Sequence, residues 1–370
     1  MNRRIIQATL LLGVGTAAVT LFALRWGSTP TKPPHHAAAV VAPGAPAPPL
    51  SRLAGANPIA TKSARTSKSM RSSLKAVAAA YASNMKYPPW STPLTSRQWT
   101  LLHPNAYIPI ALPLRLAGGT LHIALALPHT TLFADQPITV TATVRAPKHL
   151  LDTVSSAEAG ILDLRGRRLD QFRLNEKPAR GGILIFSGSL PADSSRNWPR
   201  NLRAEVEISV SSRKIKVVVP FRYEYPQAIL TGLDSSYVDG PNLVIPLEFN
   251  VIHPGYYRVQ ANLVRAGNNQ PIAHLTTEGT LDTLGDGLAL RCHASVLRTL
   301  HAPGPYRLTG FLIERLADHP GKPTLLGRSA AESYPVEAHP LAAYATTPYR
   351  SPIEQSRLQF LRRLAGESPQ

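Results

Sequence analysis

The sequence predicts a mainly β protein with an N-terminal transmembrane helix, a Pro-rich stem, two antiparallel β-sandwiches and a short C-terminal helix. Three observations carry this reading. The run Ile5 to Leu24 is uncharged and largely apolar, with Arg3 and Arg4 before it and Arg25 and Trp26 after it. As a helix it would span about 30 Å, the hydrocarbon thickness of a bilayer. Beyond residue 118 apolar residues recur at every second position, the period of a half-buried strand, in a chain holding 35 Pro and 24 Gly. Charge is also uneven. The net +18 is concentrated ahead of Asp135, the first acidic residue, where 13 of the 40 Lys and Arg lie with none of the 22 Asp and Glu. The chain therefore reads as a basic stem on a nearly balanced body.

Residues 1–26 read as an uncleaved anchor. The exit Leu24-Arg25-Trp26 lacks the small residues of a signal-cleavage site, and Trp26 suits the membrane–water interface. Arg3, Arg4 and the terminal amine favour a cytoplasmic N-terminus. The expectation is a single-pass protein of a bacterial inner membrane with its body in the periplasm. One cysteine, Cys292, forbids an intramolecular disulfide and a Cys-rich zinc site. In the strand-like run LALRCHASVL it reads as a small buried hydrophobe.

The stem covers residues 27–86. Ser28 to Pro58 is rich in Pro and Ala, an extended semi-rigid spacer in which His35-His36 is a solvated pair. Farther on, Met70, Leu74, Val77 and Tyr81 would share one helical face, with Arg65, Lys68, Arg71 and Lys75 grouped beside it. Such a helix could lie on anionic lipid or a cell-wall polymer; a basic, Ser-rich extension without structure is the alternative. Residues 87–117 contain Pro88, Pro89, Pro93, Pro104, Pro109 and Pro113, too many for a regular helix. Trp90, Trp99, Tyr87 and Tyr107 make the segment too apolar for a free linker. It is expected to fold over the body, on the first downstream domain, with Thr95 capping a short turn to Leu102. Trp90 and Trp99 as a docking strip for a protein partner are the other option.

The two sandwiches are assigned to residues 118–226 and 227–339. Ile138, Val140, Ala142 and Val144 alternate with Thr139, Thr141, Thr143 and Arg145. Val206, Ile208 and Val210, the turn Ser211-Ser212-Arg213, then Ile215, Val217 and Val219 make a hairpin. Further strands are expected at 120–127, 159–165, 168–174 and 182–190. In the second half they fall at 228–232, 243–252, 256–265, 272–278, 287–297, 305–315 and 324–336.

Gly255-Tyr256-Tyr257-Arg258-Val259 and Gly304-Pro305-Tyr306-Arg307-Leu308 each read Gly-x-Tyr-x-aliphatic. This resembles the tyrosine corner of immunoglobulin-like sandwiches, where a Tyr hydroxyl bonds back to the backbone. One such corner per domain is expected, and the family's inter-sheet cysteine pair is missing. The whole layout resembles uncharacterised bacterial envelope proteins with one N-terminal anchor, a Pro-rich stem and tandem immunoglobulin-like domains. The resemblance implies a fold and a location, and no functional residues.

In the tail, residues 340–370, Ser351-Pro352-Ile353-Glu354 is a capping box with Pro at the first helical position. A helix is expected over about 352–365, ended by Gly366. Ile353, Phe360, Leu361 and Leu364 form its apolar side, which is expected to dock on a sandwich; binding of a partner, with Phe360, Leu361 and Leu364 as candidate docking residues, is the alternative. Arg357, Arg362 and Arg363 stay polar.

No nucleophile elbow, phosphate loop, dinucleotide fingerprint or His-Glu-x-x-His occurs. Asp282 and Asp286 lack EF-hand spacing, Asp234 and Asp239 read as a turn, and His293 beside Cys292 would face the opposite side of a strand. The expectation is a non-enzymatic envelope scaffold, without cofactor or metal, that binds a protein partner or cell-wall component. The basic stem as a binding module for an anionic envelope polymer or lipid head group is the rival reading. A cell-wall hydrolase with a site assembled from distant residues is the third. Nucleic acid is not expected as a partner, because no aromatic platform accompanies the basic charge.

Overall fold

The computed structural model describes residues 68–116, 118–177, 181–283 and 287–366. The apolar run Ile5–Leu24, the His pair and Arg65 lie outside them. Among the described residues no helix is long and apolar enough to cross a membrane.

Helix α1 (Lys68–Asn84) comes first, then strand β1 (Ser91–Pro93) and a short helix α2 (Trp99–Leu102). The strands β2 (Ala111–Leu116), β3 (Gly119–Ala126), β4 (Thr131–Phe133) and β5 (Ile138–Arg145) follow, then the turn of helix α3 (Lys148–Leu151). Next are β6 (Val154–Leu162), β7 (Arg168–Lys177), β8 (Ile183–Leu190), β9 (Asn201–Val210) and β10 (Arg213–Glu224). The second half holds β11 (Ala228–Leu233), β12 (Tyr237–Asp239), β13 (Asn242–Val251), β14 (Gly255–Arg265), β15 (Pro271–Leu281) and β16 (Ala289–His293). It ends with helix α4 (Ala294–Thr299), β17 (Tyr306–Arg315), β18 (Leu325–Ser329), β19 (Ser333–Val336) and helix α5 (Pro352–Leu364).

The protein is mainly β with a short C-terminal helix, as the periodicity predicts, but the expected pair of two-sheet sandwiches is corrected. Each strand set forms one continuous hydrogen-bonded sheet. The first has nine strands in the order β2-β3-β5-β8-β7-β6-β9-β10-β4. Strand β7 makes it continuous: its early residues pair with β6, and Asn175–Lys177 pair with β8. Gly188 permits this crossing, because a Cβ there would collide with the Arg173 carbonyl and the Leu174 side chain. Alternate residues of β3, β5, β6 and β9, among them Ile123, Val140, Ile161 and Val206, enter one core and are fully buried. The sheet therefore curls round a single interior, where each large aliphatic side chain contributes about 1.5–3 kcal/mol by burial.

The second sheet has ten strands along β1-β15-β14-β17-β18-β11-β13-β12, with β16 on β13 and β19 on β17. It too is curled: the side of β16 not paired to β13 lies beside β1 and β15, leaving a half-closed barrel with a seam. Strand β1, which precedes the whole first sheet in sequence, pairs with β15 in the second. The segment expected on the first domain is thus divided, since Ala111–Leu116 is the edge strand of the first sheet.

The two sheets belong to one compact unit, joined by charged hydrogen bonds. Arg328 grips Asp135 at 2.6–3.0 Å. Glu224, almost fully buried, accepts from Arg200 at 2.6 Å and from Arg222, and Arg200 also donates to the Thr324 carbonyl at 3.1 Å.

Both tyrosine corners form, and both lie in the second sheet. Tyr306 donates to the Ala302 carbonyl at 2.6 Å, four residues upstream. Tyr257 donates to the carbonyls of His253, also four residues upstream, and Gln227.

Candidate docking surface

Helix α5 begins where its capping box predicts. Ser351 Oγ accepts from Glu354 N at 3.3 Å, Pro352 occupies the first turn, and Gly366 ends the helix at φ +77°. Its inward face differs from the expected one. Leu358 and Ala365 are buried and Leu361 is half-buried, while Ile353, Phe360 and Leu364 are 66%, 54% and 46% exposed. The physical reason is its partner, helix α1, whose buried contact residue is Ala78. The small Ala78 on α1 leaves room for the larger Leu358 of α5 to turn inward. A Cβ on Gly366 would lie 3.8 Å from the Arg71 side chain, so the end of α5 meets the beginning of α1.

On α1 the predicted stripe is only partly used. Leu74 and Tyr81 are half-buried, and Met70 and Val77 remain exposed, because the packed face is rotated toward Ala78. Lys68 opens the helix, Arg71 lies against the end of α5, and Lys75 is exposed. Helix α1 has no acidic residue, and Glu354 is the one acid on α5 beside Arg357, Arg362 and Arg363.

Ile353, Phe360 and Leu364 are spaced seven and four residues apart and so share one side of α5. Arg357, four residues after Ile353 and three before Phe360, sits within that stripe, and Arg363 lies to one side of it; both are exposed. The structure thus joins two segments that the sequence offers separately, the basic helix and the C-terminal helix, into one helix pair with exposed apolar and basic side chains.

Trp90 and Trp99 are not part of it. Trp90 is half-buried, edge-on to Tyr349 with ring centroids 5.5 Å apart. Trp99 sits on α2 against His103. Gln98 Oε1 accepts from Thr95 N at 2.8 Å and Thr95 Oγ1 at 3.1 Å, which braces the turn before α2, but no side chain caps that helix, so the cap expected of Thr95 does not form.

Cys292 is fully buried, and burial pushes its thiol pKa up to about 12. His293 is buried as well; β16 ends there and its Nδ1 caps α4 by accepting from Ser295 N at 3.2 Å. Among the described residues no group of three or more His, Cys, Asp and Glu is placed to hold a metal ion.

No protein-family model and no curated protein matches the chain. Among solved structures it is similar to a DUF4785 family protein from Legionella pneumophila, at 14% identity and a TM-score of 0.35, covering 52% of each chain. It is also similar to Escherichia coli alpha-2-macroglobulin, at 11% identity and a TM-score of 0.29, covering 59% of this chain and 14% of that one. The latent PorU of Porphyromonas gingivalis gives 12% identity and a TM-score of 0.21, over 63% of this chain and 20% of its own. The chain thus spans about half or less of these proteins, and the likeness extends to a β-rich build and no further.

Proposed function

We propose that this is a non-enzymatic interaction or scaffold protein, held at a bacterial inner membrane by its N-terminal apolar run, with its β-rich body in the periplasm. Its partner on this reading is another envelope protein or a cell-wall component. The observation that carries the reading is the unburied apolar group Ile353, Phe360 and Leu364 on α5, with Arg357 set among them and Arg363 to one side. Solvent-facing apolar side chains gathered together with charge among them are the makings of a docking surface.

A photo-crosslinking residue at Phe360, in cells, tests it. The expected result is a discrete adduct that disappears with Leu364→Ser and is absent when the same residue replaces exposed Ile252. Reporter fusions after residue 117 test the location, and activity of a cytoplasmic reporter there would refute it.

The acid-free sequence of α1 supports a second reading, contact with anionic lipid head groups through Lys68, Arg71 and Lys75. The two differ in salt response. Lipid contact weakens steeply between 50 and 500 mM salt, about the range over which the screening length falls below 10 Å. An apolar protein contact does not. Flotation with vesicles of anionic and of zwitterionic lipid separates them.

A further inference from the structure

Helices α1 and α5 run antiparallel. The end of α5 at Gly366 meets Arg71 at the start of α1, and Trp90, soon after α1, meets Tyr349, just before α5, edge-on. They touch along Leu74, Ala78 and Tyr81 of α1 and Leu358, Leu361 and Ala365 of α5, the buried and half-buried positions. At 3.6 residues per turn, Met70 and Val77 are rotated about 60° from the α1 contact line, and Ile353, Phe360 and Leu364 about 110° from that of α5. Both rotations have the same sense, since Val77 precedes Ala78 as Leu364 precedes Ala365. Antiparallel axes turn that shared sense into one side of the pair. The five side chains, all exposed, are therefore two apolar rows on a single face.

Charge decides what this face accepts. The same rotation carries Lys75 and Arg362 about 90° and about 70° to the opposite side of the pair. Arg357 is turned about 70° toward the apolar side, so it stands between the two rows, over the groove they enclose. It is exposed and makes no ion pair among the described residues. A bilayer would press this guanidinium into hydrocarbon between the rows, where an unpaired charge is costly. Two copies set face to face would bring Arg357 against its own counterpart, a like-charge contact. The stem of this chain supplies no carboxylate, since no Asp or Glu precedes Asp135. What fits is an apolar surface that brings an acid to the middle of the groove.

We propose that the α1/α5 face is a groove for one amphipathic helix of a partner protein, apolar where it meets the two rows and carrying a carboxylate opposite Arg357. The partner helix completes a three-helix arrangement: its apolar side supplies affinity and the carboxylate supplies selectivity. The 13 residues of α5 span about 20 Å, which calls for about four turns of partner helix. This inference rests on the protein-docking reading of α5 given above; it adds α1 to the site and names the partner's chemistry.

The test uses the full chain in discs of zwitterionic lipid and fluorescein-labelled peptides of about 18 residues, with Leu at heptad a and d positions. One peptide carries a central Glu on its Leu side, a second a central Lys, and a third the Glu with a mid-chain Pro that breaks the helix. Fluorescence polarisation, corrected for empty discs, should show the Glu peptide binding about tenfold more tightly than the Lys peptide, and the Pro peptide losing binding. Arg357→Glu, an exposed change, should reverse the preference. Val77→Ser and Phe360→Ser should each weaken the Glu peptide about fivefold. Equal binding of the Glu and Lys peptides, retained binding of the Pro peptide, or no binding at millimolar peptide would overturn the proposal, while the docking reading would still stand or fall on its crosslink at Phe360. If Phe360→Ser weakens binding and Val77→Ser does not, α5 docks alone and the groove is refuted. Peptide binding abolished by anionic discs would assign the face to lipid, and self-association of the chain through Val77 and Phe360 would assign it to a second copy; either result overturns the proposal.

Discussion

Removing a single hydroxyl at each tyrosine corner should cost different amounts, and the structure sets the order. Tyr306→Phe leaves the Ala302 carbonyl without the Tyr306 hydroxyl, at a residue that is fully buried. The lost hydrogen bond is worth about 1 kcal/mol net, and a carbonyl stranded away from water adds about 1–3 kcal/mol. The expected destabilisation is about 2 kcal/mol. Tyr257→Phe removes bonds to two carbonyls, yet neither is stranded. Gln227 O still accepts from Ile252 N and His253 N at 3.0 and 2.9 Å, and His253 is exposed, so water reaches its carbonyl. That change should cost about 1 kcal/mol. Urea unfolding of the full chain in detergent, followed by near-ultraviolet circular dichroism, reads both values. Equal costs, a larger cost for Tyr257→Phe, or losses below about 0.3 kcal/mol for both would refute the argument that carbonyl burial sets the magnitude.

Three further outcomes are expected. Burial pushes Tyr223, Tyr257 and Tyr344 up to about 12, and Tyr306 higher still; unfolded tyrosines release their protons near pH 10, so the unfolded state deprotonates first and stability falls as pH rises above about 10. Tyrosinate absorbance should show these four ionising only with unfolding, and reversible titration of all 12 tyrosines near pH 10 in the folded chain would contradict it. Glu224→Ala should cost about 3 kcal/mol, the low end for breaking a buried ion pair, because Arg200 and Arg222 are partly exposed and water recovers some of their solvation; a thermal melt in which the first sheet is unaffected would argue otherwise. Gly188→Ala should cost about 2 kcal/mol through the clash with the Arg173 carbonyl, read as a lower urea midpoint with amide exchange accelerated in β7 and β8.

Local periodicity made most of the strands legible. Ile138–Arg145 alternates without interruption and folds as one strand over those same residues. The run 287–297 misleads because alternation stops at Cys292, where His293 and Ala294 are also buried and a His, an unusual cap, starts α4. The run 324–336 reads as one strand but breaks into β18 and β19, with Tyr334 Oη reaching across to the Leu230 carbonyl at 2.9 Å. Strands of three residues, β1, β4 and β12, have no period to detect. Sheet closure is invisible for a different reason: alternation records that one face is buried, not whether that face meets a second sheet or the same sheet curled round.

The candidate surface was half legible. The capping box located α5, but its buried side is chosen by Ala78, which is far away in sequence and too small to mark an apolar face. The groove left no motif, since its two rows of side chains lie far apart in sequence.

The placement of β1 has a mechanical consequence. The first sheet is spliced into the second between β1 and β11, so a chain pulled from its N-terminal side transmits tension to α1 and then to β1. Both are fastened to late parts of the chain, α1 to α5 and β1 to β15. A load shared between the stem and anything grasping α5 runs through the helix pair and the second sheet alone. The first sheet hangs outside that line of force, and the three residues of β1, zipped to β15 along their length, are the link that must shear before it feels any strain.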